Sequence, residues 1–99
     1  MLFMKKENET TLKDALNKLV DSYQLRKKLY ELKVVDSWKD LVGELIQKHT
    51  TDIFIKEKTL YIKVDSSVVR QELNFMKRRL VDRINKMLEK NFIDQITIL

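Results

Sequence analysis

Few side chains in this 99-residue sequence are equipped for chemistry. The single histidine, His49, excludes paired-histidine metal sites, and the absence of cysteine excludes thiolate nucleophiles and zinc knuckles. With Gly43 as its one glycine, the chain has no glycine-rich phosphate loop. Carboxylates remain. Asp36, Asp40 and Glu44 recur at i, i+4 and i+8, which on one helix would line them up opposite Trp38, where they could hold a hard cation or meet a basic partner. A row of this kind is also what a solvated helix face looks like, and no general acid or base accompanies it. The expectation is therefore a protein that binds, with no catalytic residue, no metal and no cofactor.

Binding chemistry is better represented. Arg70, Lys77, Arg78, Arg79, Arg83, Lys86 and Lys90 outnumber Glu72, Asp82 and Glu89 over one stretch. Arg79, Arg83, Lys86 and Lys90 fall at i, i+4, i+7 and i+11, a single stripe if the stretch is helical. A phosphate backbone could follow such a stripe, and Arg26, Lys27 and Lys28 add a second cluster. The competing account is that long basic stems cover an apolar edge and keep their charged ends in water. The net charge of +5 favours a polyanion or an acidic protein as partner without choosing between them.

Four further residues stand out. Phe54 and Tyr61 would form a pair on a sheet, usable for stacking unpaired bases or covered by the N-terminal helices, residues 1–4 or a second copy. His49 could act as a ligand or pH switch, but its place at a helix C-terminus on the apolar side fits a packed, hydrogen-bonded residue. Trp38 heads an apolar stripe and reads as core. Gly43, off that stripe in a helix interior, points to close approach of another backbone.

The elements that must position these residues follow from periodicity and caps, because the chain has no proline. Residues 1–9 are expected to be flexible and residues 10–99 to form one domain, since 43% hydrophobic content in a chain this short suffices for a single core. Thr10 or Thr11 can cap a helix carrying Leu12, Leu16, Leu19, Val20 and Tyr23, ending near residues 22–24. Leu25, Leu29 and Leu32 indicate a second, short helix. Asp36 or Ser37 caps a third, with Trp38, Leu41, Val42, Leu45 and Ile46 as one continuous stripe. From Thr51 the period becomes two. Ile53 and Ile55, then Leu60, Ile62 and Val64, predict two strands joined at Glu57-Lys58, with Ile55 opposite Leu60, Ile53 opposite Ile62 and Phe54 opposite Tyr61. Ser66 or Ser67 caps a long helix to about Lys90 with Val69, Leu73, Met76, Leu80 and Ile84 inward, and a strand over 93–99 closes the chain. The fold class is α+β, with N-terminal helices followed by β-β-α-β, a three-stranded sheet packed against helices, and a KH-like order.

Nothing at the N-terminus resembles a signal sequence, and no apolar run approaches the length of a membrane span, so a cytoplasmic protein without a membrane partner is expected. Over residues 35–99 the chain resembles the DciA-type family of bacterial replicative helicase loaders. The resemblance rests on Ser37-Trp38-Lys39-Asp40-Leu41-Val42-Gly43, Lys48-His49-Thr50, Leu60-Tyr61-Ile62-Lys63-Val64, Ser66-Ser67, Arg70-Gln71-Glu72-Leu73 and Ile84-Asn85. It implies a KH-like domain that assists the replicative helicase onto DNA, with single-stranded or forked DNA and the helicase itself as partners. Phe54, Tyr61, Asp36, Asp40 and Glu44 are the candidates for the helicase face. Glu57-Lys58 replaces the glycine or asparagine turn of many relatives, and the GxxG loop with which ordinary KH domains clamp RNA is absent. RNA binding and a purely protein-binding role are the alternatives, and a monomer or weak homodimer is expected.

Overall fold

The structure, a computed structural model, describes residues 11–18 and 22–99. Residues 11–18 are helical (α1), followed by α2 (Tyr23–Asp36), α3 (Trp38–Val42), α4 (Glu44–Lys48), β1 (Thr50–Lys56), β2 (Thr59–Val64), α5 (Ser67–Leu88) and β3 (Gln95–Ile98). The class is α+β: helices precede a mixed sheet of order β1-β2-β3, antiparallel between β1 and β2 and parallel between β2 and β3.

The hairpin has the expected register, with Ile55 paired to Leu60, Ile53 to Ile62 and Phe54 to Tyr61. Glu57 takes a φ of +57°, the left-handed conformation that lets two residues reverse the chain without glycine. Alternation sends Ile55, Leu60, Ile62 and Val64 to one face, where they are buried. Helix α5 covers that face with Val69, Leu73, Leu80, Ile84 and Leu88, all at helical spacing and buried. Ser66 caps its start, its Oγ accepting the Val69 amide at 3.3 Å.

The far end of α5 departs from expectation. The helix stops at Leu88, two residues before Lys90, because Glu89 enters the left-handed region at φ +56° and its amide returns to the Asn85 and Lys86 carbonyls. Asn85 then organises the connection. Its Oδ1 accepts the Phe92 and Ile93 amides, each at 3.1 Å, and its Nδ2 donates to the Ile93 carbonyl at 2.7 Å. Phe92 and Ile93 are buried in this connection, so β3 begins only at Gln95.

The N-terminal helices require three corrections. Thr10, Leu19 and Val20 lie outside the described residues; Tyr23, expected to end the first helix, instead opens α2, whose N-cap is Ser22. Helix α2 is 14 residues long and is rotated relative to the leucine reading: Leu29 and Leu32 are exposed, and Val34 is fully buried. Two aromatic contacts fix this rotation, because Tyr23 stacks on Phe92 (centroids 5.6 Å apart) and Tyr30 meets the same ring edge-on at 4.6 Å. So oriented, α2 lies along the open edge of β1. Glu31 Oε2 accepts the Ile55 amide at 2.9 Å, and the Tyr23 hydroxyl donates to the Glu57 carbonyl at 2.6 Å.

The third correction concerns Gly43, which is not inside a helix. It separates α3 from α4 with φ +94° and ψ 166°, a conformation essentially confined to glycine. A Cβ built there would meet nothing within 4 Å, so backbone conformation, and not close approach of another chain segment, accounts for the residue. The break lets Trp38, Leu41 and Ile46 all reach the core while Leu45 stays exposed. Trp38 Nε1 donates to Thr50 Oγ1 at 2.9 Å, and that hydroxyl donates to the Ile46 carbonyl at 2.6 Å, tying the helices to β1.

Candidate nucleic-acid interface

Because α5 is one helix of 22 residues, its cations are sorted by angle around one axis. Arg83 is closest to α3. Its Nη1 donates to the Leu41 carbonyl at 2.7 Å and its Nη2 lies 3.5 Å from the Asp40 carbonyl, so this guanidinium closes the C-terminal end of α3. Near the start of α5, Arg70 Nη2 donates to the Leu99 carbonyl at 3.2 Å and holds the end of β3. Lys77 is half-buried. The stripe Arg79, Arg83, Lys86 and Lys90 is thus not uniform, since Arg83 has a structural partner.

Arg78, Arg79, Lys86 and Lys90 are exposed, and none has a described carboxylate within the 4.0 Å of an ion pair. Arg79 and Lys86 point outward on one side, Arg78 on the other side of the exposed surface, and Lys90 follows the helix C-cap. On α2, Arg26 and Lys27 are half-buried and Lys28 is exposed. Tyr23 and Tyr30 flank these three and both pack on Phe92, two residues after Lys90, so α2 lies beside the C-terminal end of α5, with Lys28 turned to its outer side.

One exposed residue on this helix escaped the sequence reading. Phe75 is 81% exposed, the highest value among the large hydrophobic side chains of the described residues. With Val68, Arg79 and Lys86 it falls within about 40° of the same line along α5. Its offset from Leu73 and Leu80 was the available signal: two residues from one and five from the other, it cannot share their face.

The other candidates are dispersed. Asp36 ends α2, Asp40 lies in α3 and Glu44 opens α4, so the expected single-helix acidic row does not exist; all three are exposed. Among the described residues, no three His, Asp or Glu side chains converge as metal ligands. Phe54 and Tyr61 stack with centroids 4.9 Å apart and planes at 10°, both half-buried, on the sheet face away from α5 that also carries Lys56 and Lys63. His49 caps α4, and its Nδ1 lies 2.8 Å from Asp65 Oδ1. It is hydrogen-bonded as expected but not packed away, because its side chain is 37% exposed. Leu73 and Trp38 are core. A hollow of about 260 Å³ beside Trp38 is lined by Val35, Gln47, Thr50, Thr51, Asp52 and Ile53, with Asp52 its one acidic group.

Helix α2 presents a second kind of surface. Leu29, Leu32 and Val35 are each about half exposed along its outer side, next to Asp36. No described helix is long and apolar enough to cross a membrane.

Comparison with known proteins agrees with this architecture's sequence signature. The family model described as Dna[CI] antecedent, DciA, matches residues 11–98. A protein of Corynebacterium glutamicum (strain R), named UPF0232 protein, is 34% identical over 65 residues, which are 66% of this chain and 36% of that relative. The match therefore spans little more than a third of the relative's length. No solved structure matches significantly. With nearly all of its length covered by the family model, from α1 to the end of β3, the chain belongs to the DciA family.

Proposed function

We propose that this chain is a non-enzymatic adaptor that binds DNA, single-stranded or forked, and assists loading of the replicative helicase. The observation that carries the DNA half is the set of exposed cations Arg78, Arg79, Lys86 and Lys90, which have no ion-pair partner among the described residues. A protein normally offsets such charges or pays repulsion to keep them together, so leaving them open makes sense where an anionic polymer supplies the counter-charge.

Family membership supports the helicase half, and the surface of α2 offers a place for it. Protein contacts need apolar area at their centre, and Leu29, Leu32 and Val35 form an aliphatic strip bordered by Asp36. Phe54 and Tyr61, on the outer sheet face, are the alternative helicase contact. In this account Arg70 and Arg83 position α5 and do not read DNA.

The test uses two variants of the full chain. Arg79→Glu combined with Lys86→Glu should lose retention of single-stranded and forked DNA at low salt while still capturing the cognate helicase. Leu32→Glu should lose the helicase and keep the DNA. Undiminished DNA retention by the double reversal would remove the DNA half, and failure of the unaltered chain to capture helicase at low salt would remove the other.

A further inference from the structure

We infer that Phe75 is a stacking platform for an unpaired base, with Arg79 and the cations beyond it taking the adjoining phosphates; this rests on the nucleic-acid reading above and specifies its ligand as single-stranded. The ring is 81% exposed in the middle of a 22-residue helix. Neither packing nor local conformation explains it, because the core contacts of α5 are made by Leu73 and Leu80 and aromatic residues are not favoured helix formers.

What surrounds the ring decides which partner it fits. Its neighbours one turn away on α5 are Gln71, Glu72, Arg78 and Arg79, all polar, with Val68 two turns back. A protein-docking site would look like the strip on α2, where Leu29, Leu32 and Val35 adjoin one another. A lone aromatic face beside guanidinium groups that have no ion-pair partner among the described residues is instead the chemistry that accepts a base and its phosphates. Every base has a π face, so contact of this kind is tolerant of sequence. In a duplex those faces are already stacked and the ring has nothing to receive.

The charges also set a direction. On the N-terminal side of Phe75 Glu72 is exposed and Arg70 is engaged by the Leu99 carbonyl, whereas on the C-terminal side Arg78, Arg79, Lys86 and Lys90 outnumber the exposed Asp82 and Glu89 by four to two. From Phe75 to Lys86 is about 16 Å along the helix axis, the reach of a few nucleotides. The strand is therefore routed from Phe75 toward the Lys90 end.

The experiment is fluorescence anisotropy of a labelled mixed-sequence single-stranded oligonucleotide, and of its duplex, against the full chain carrying Phe75→Ala, Phe75→Leu or Phe75→Tyr. Because the side chain is exposed, all three should unfold at the temperature of the unaltered protein. Loss of one stacking contact should weaken single-strand binding about five- to thirtyfold in the Ala and Leu variants, while the Tyr variant stays within about twofold. Duplex binding should not change. Single-strand binding by Phe75→Leu equal to the unaltered chain would overturn stacking, as would helicase capture, and not DNA, being lost in Phe75→Ala. If the Phe75 variants bind normally while the Arg79 and Lys86 reversals do not, stacking fails and the DNA reading stands; if both sets bind normally, both fail.

Discussion

Arg83→Ala separates the structural cation from those with no ion-pair partner among the described residues. In the protein its guanidinium donates a 2.7 Å bond to the part-buried Leu41 carbonyl and a long 3.5 Å contact to the Asp40 carbonyl, at the end of a five-residue helix that cannot continue past Gly43. Hydrogen bonds to charged groups contribute about 1.5–3 kcal/mol, and exposure of the arginine with only one short bond lowers this one to about 1–2 kcal/mol. For a domain of this size each kcal/mol moves the midpoint by about 4–8 °C, so Arg83→Ala should melt roughly 5–15 °C lower. Arg79→Ala, which loses no hydrogen-bond or ion-pair partner among the described residues, should shift stability by less than about 0.5 kcal/mol. Urea unfolding followed by Trp38 fluorescence is the assay, because the one tryptophan is 2% exposed and hydrogen-bonded to Thr50. DNA affinity measured well below the midpoint should fall more for Arg79→Ala than for Arg83→Ala. An Arg83 variant as stable as the unaltered chain, or one whose DNA loss equals that of Arg79→Ala, would refute the sorting of the stripe.

Three other substitutions test what positions the interface. Asn85→Ala removes three hydrogen bonds at the α5 to β3 connection and should destabilise by about 2–4 kcal/mol in urea titration, with Asn85→Asp losing less because it keeps the acceptor for the Phe92 and Ile93 amides. Gly43→Ala meets no atom but must hold φ near +94°, so thermal unfolding should report a cost of about 1–3 kcal/mol, all of it backbone. Glu31→Ala strips the acceptor from the Ile55 amide on the edge of β1; about 1–2 kcal/mol should be lost and largely restored in Glu31→Gln, as read by chemical denaturation, with edge exchange of the Ile55 amide rising only in the alanine variant.

How far the sequence could be read varied with the range of the interactions involved. Alternation of Ile53, Ile55, Leu60, Ile62 and Val64 fixes a hairpin register locally, and the pairing is as expected. The apolar repeat from Val69 to Ile84 likewise marks α5, because one helix face carries the information by itself. The rotation of α2 is not local: Tyr23 and Tyr30 choose it by packing on Phe92, which is far away in the chain, and Leu29 and Leu32, which fit helical spacing equally well, end up outside. Gly43 misled for a different reason. The spacing of Trp38, Leu41, Val42, Leu45 and Ile46 fits an unbroken helix, yet the only residue able to adopt a positive φ there breaks it, and the acidic row disappears with the helix that was to carry it. Among the cations, periodicity locates the stripe but cannot reveal that Arg83 reaches carbonyls of α3 some forty residues earlier. Phe75 is legible from its offset alone, because two residues from Leu73 and five from Leu80 put it off the buried face.

The proposed interface replaces counterions along a nucleic-acid backbone through the outward cations of α5. It is tested most directly by the salt dependence of single-strand binding, comparing the unaltered chain with Arg79→Gln, Lys86→Gln and Lys90→Gln combined. Each phosphate contact contributes a slope of about 0.7 in log K against log salt, so removal of three should lower the slope by about 2. Parallel lines for the two proteins would mean that these side chains never met the phosphates.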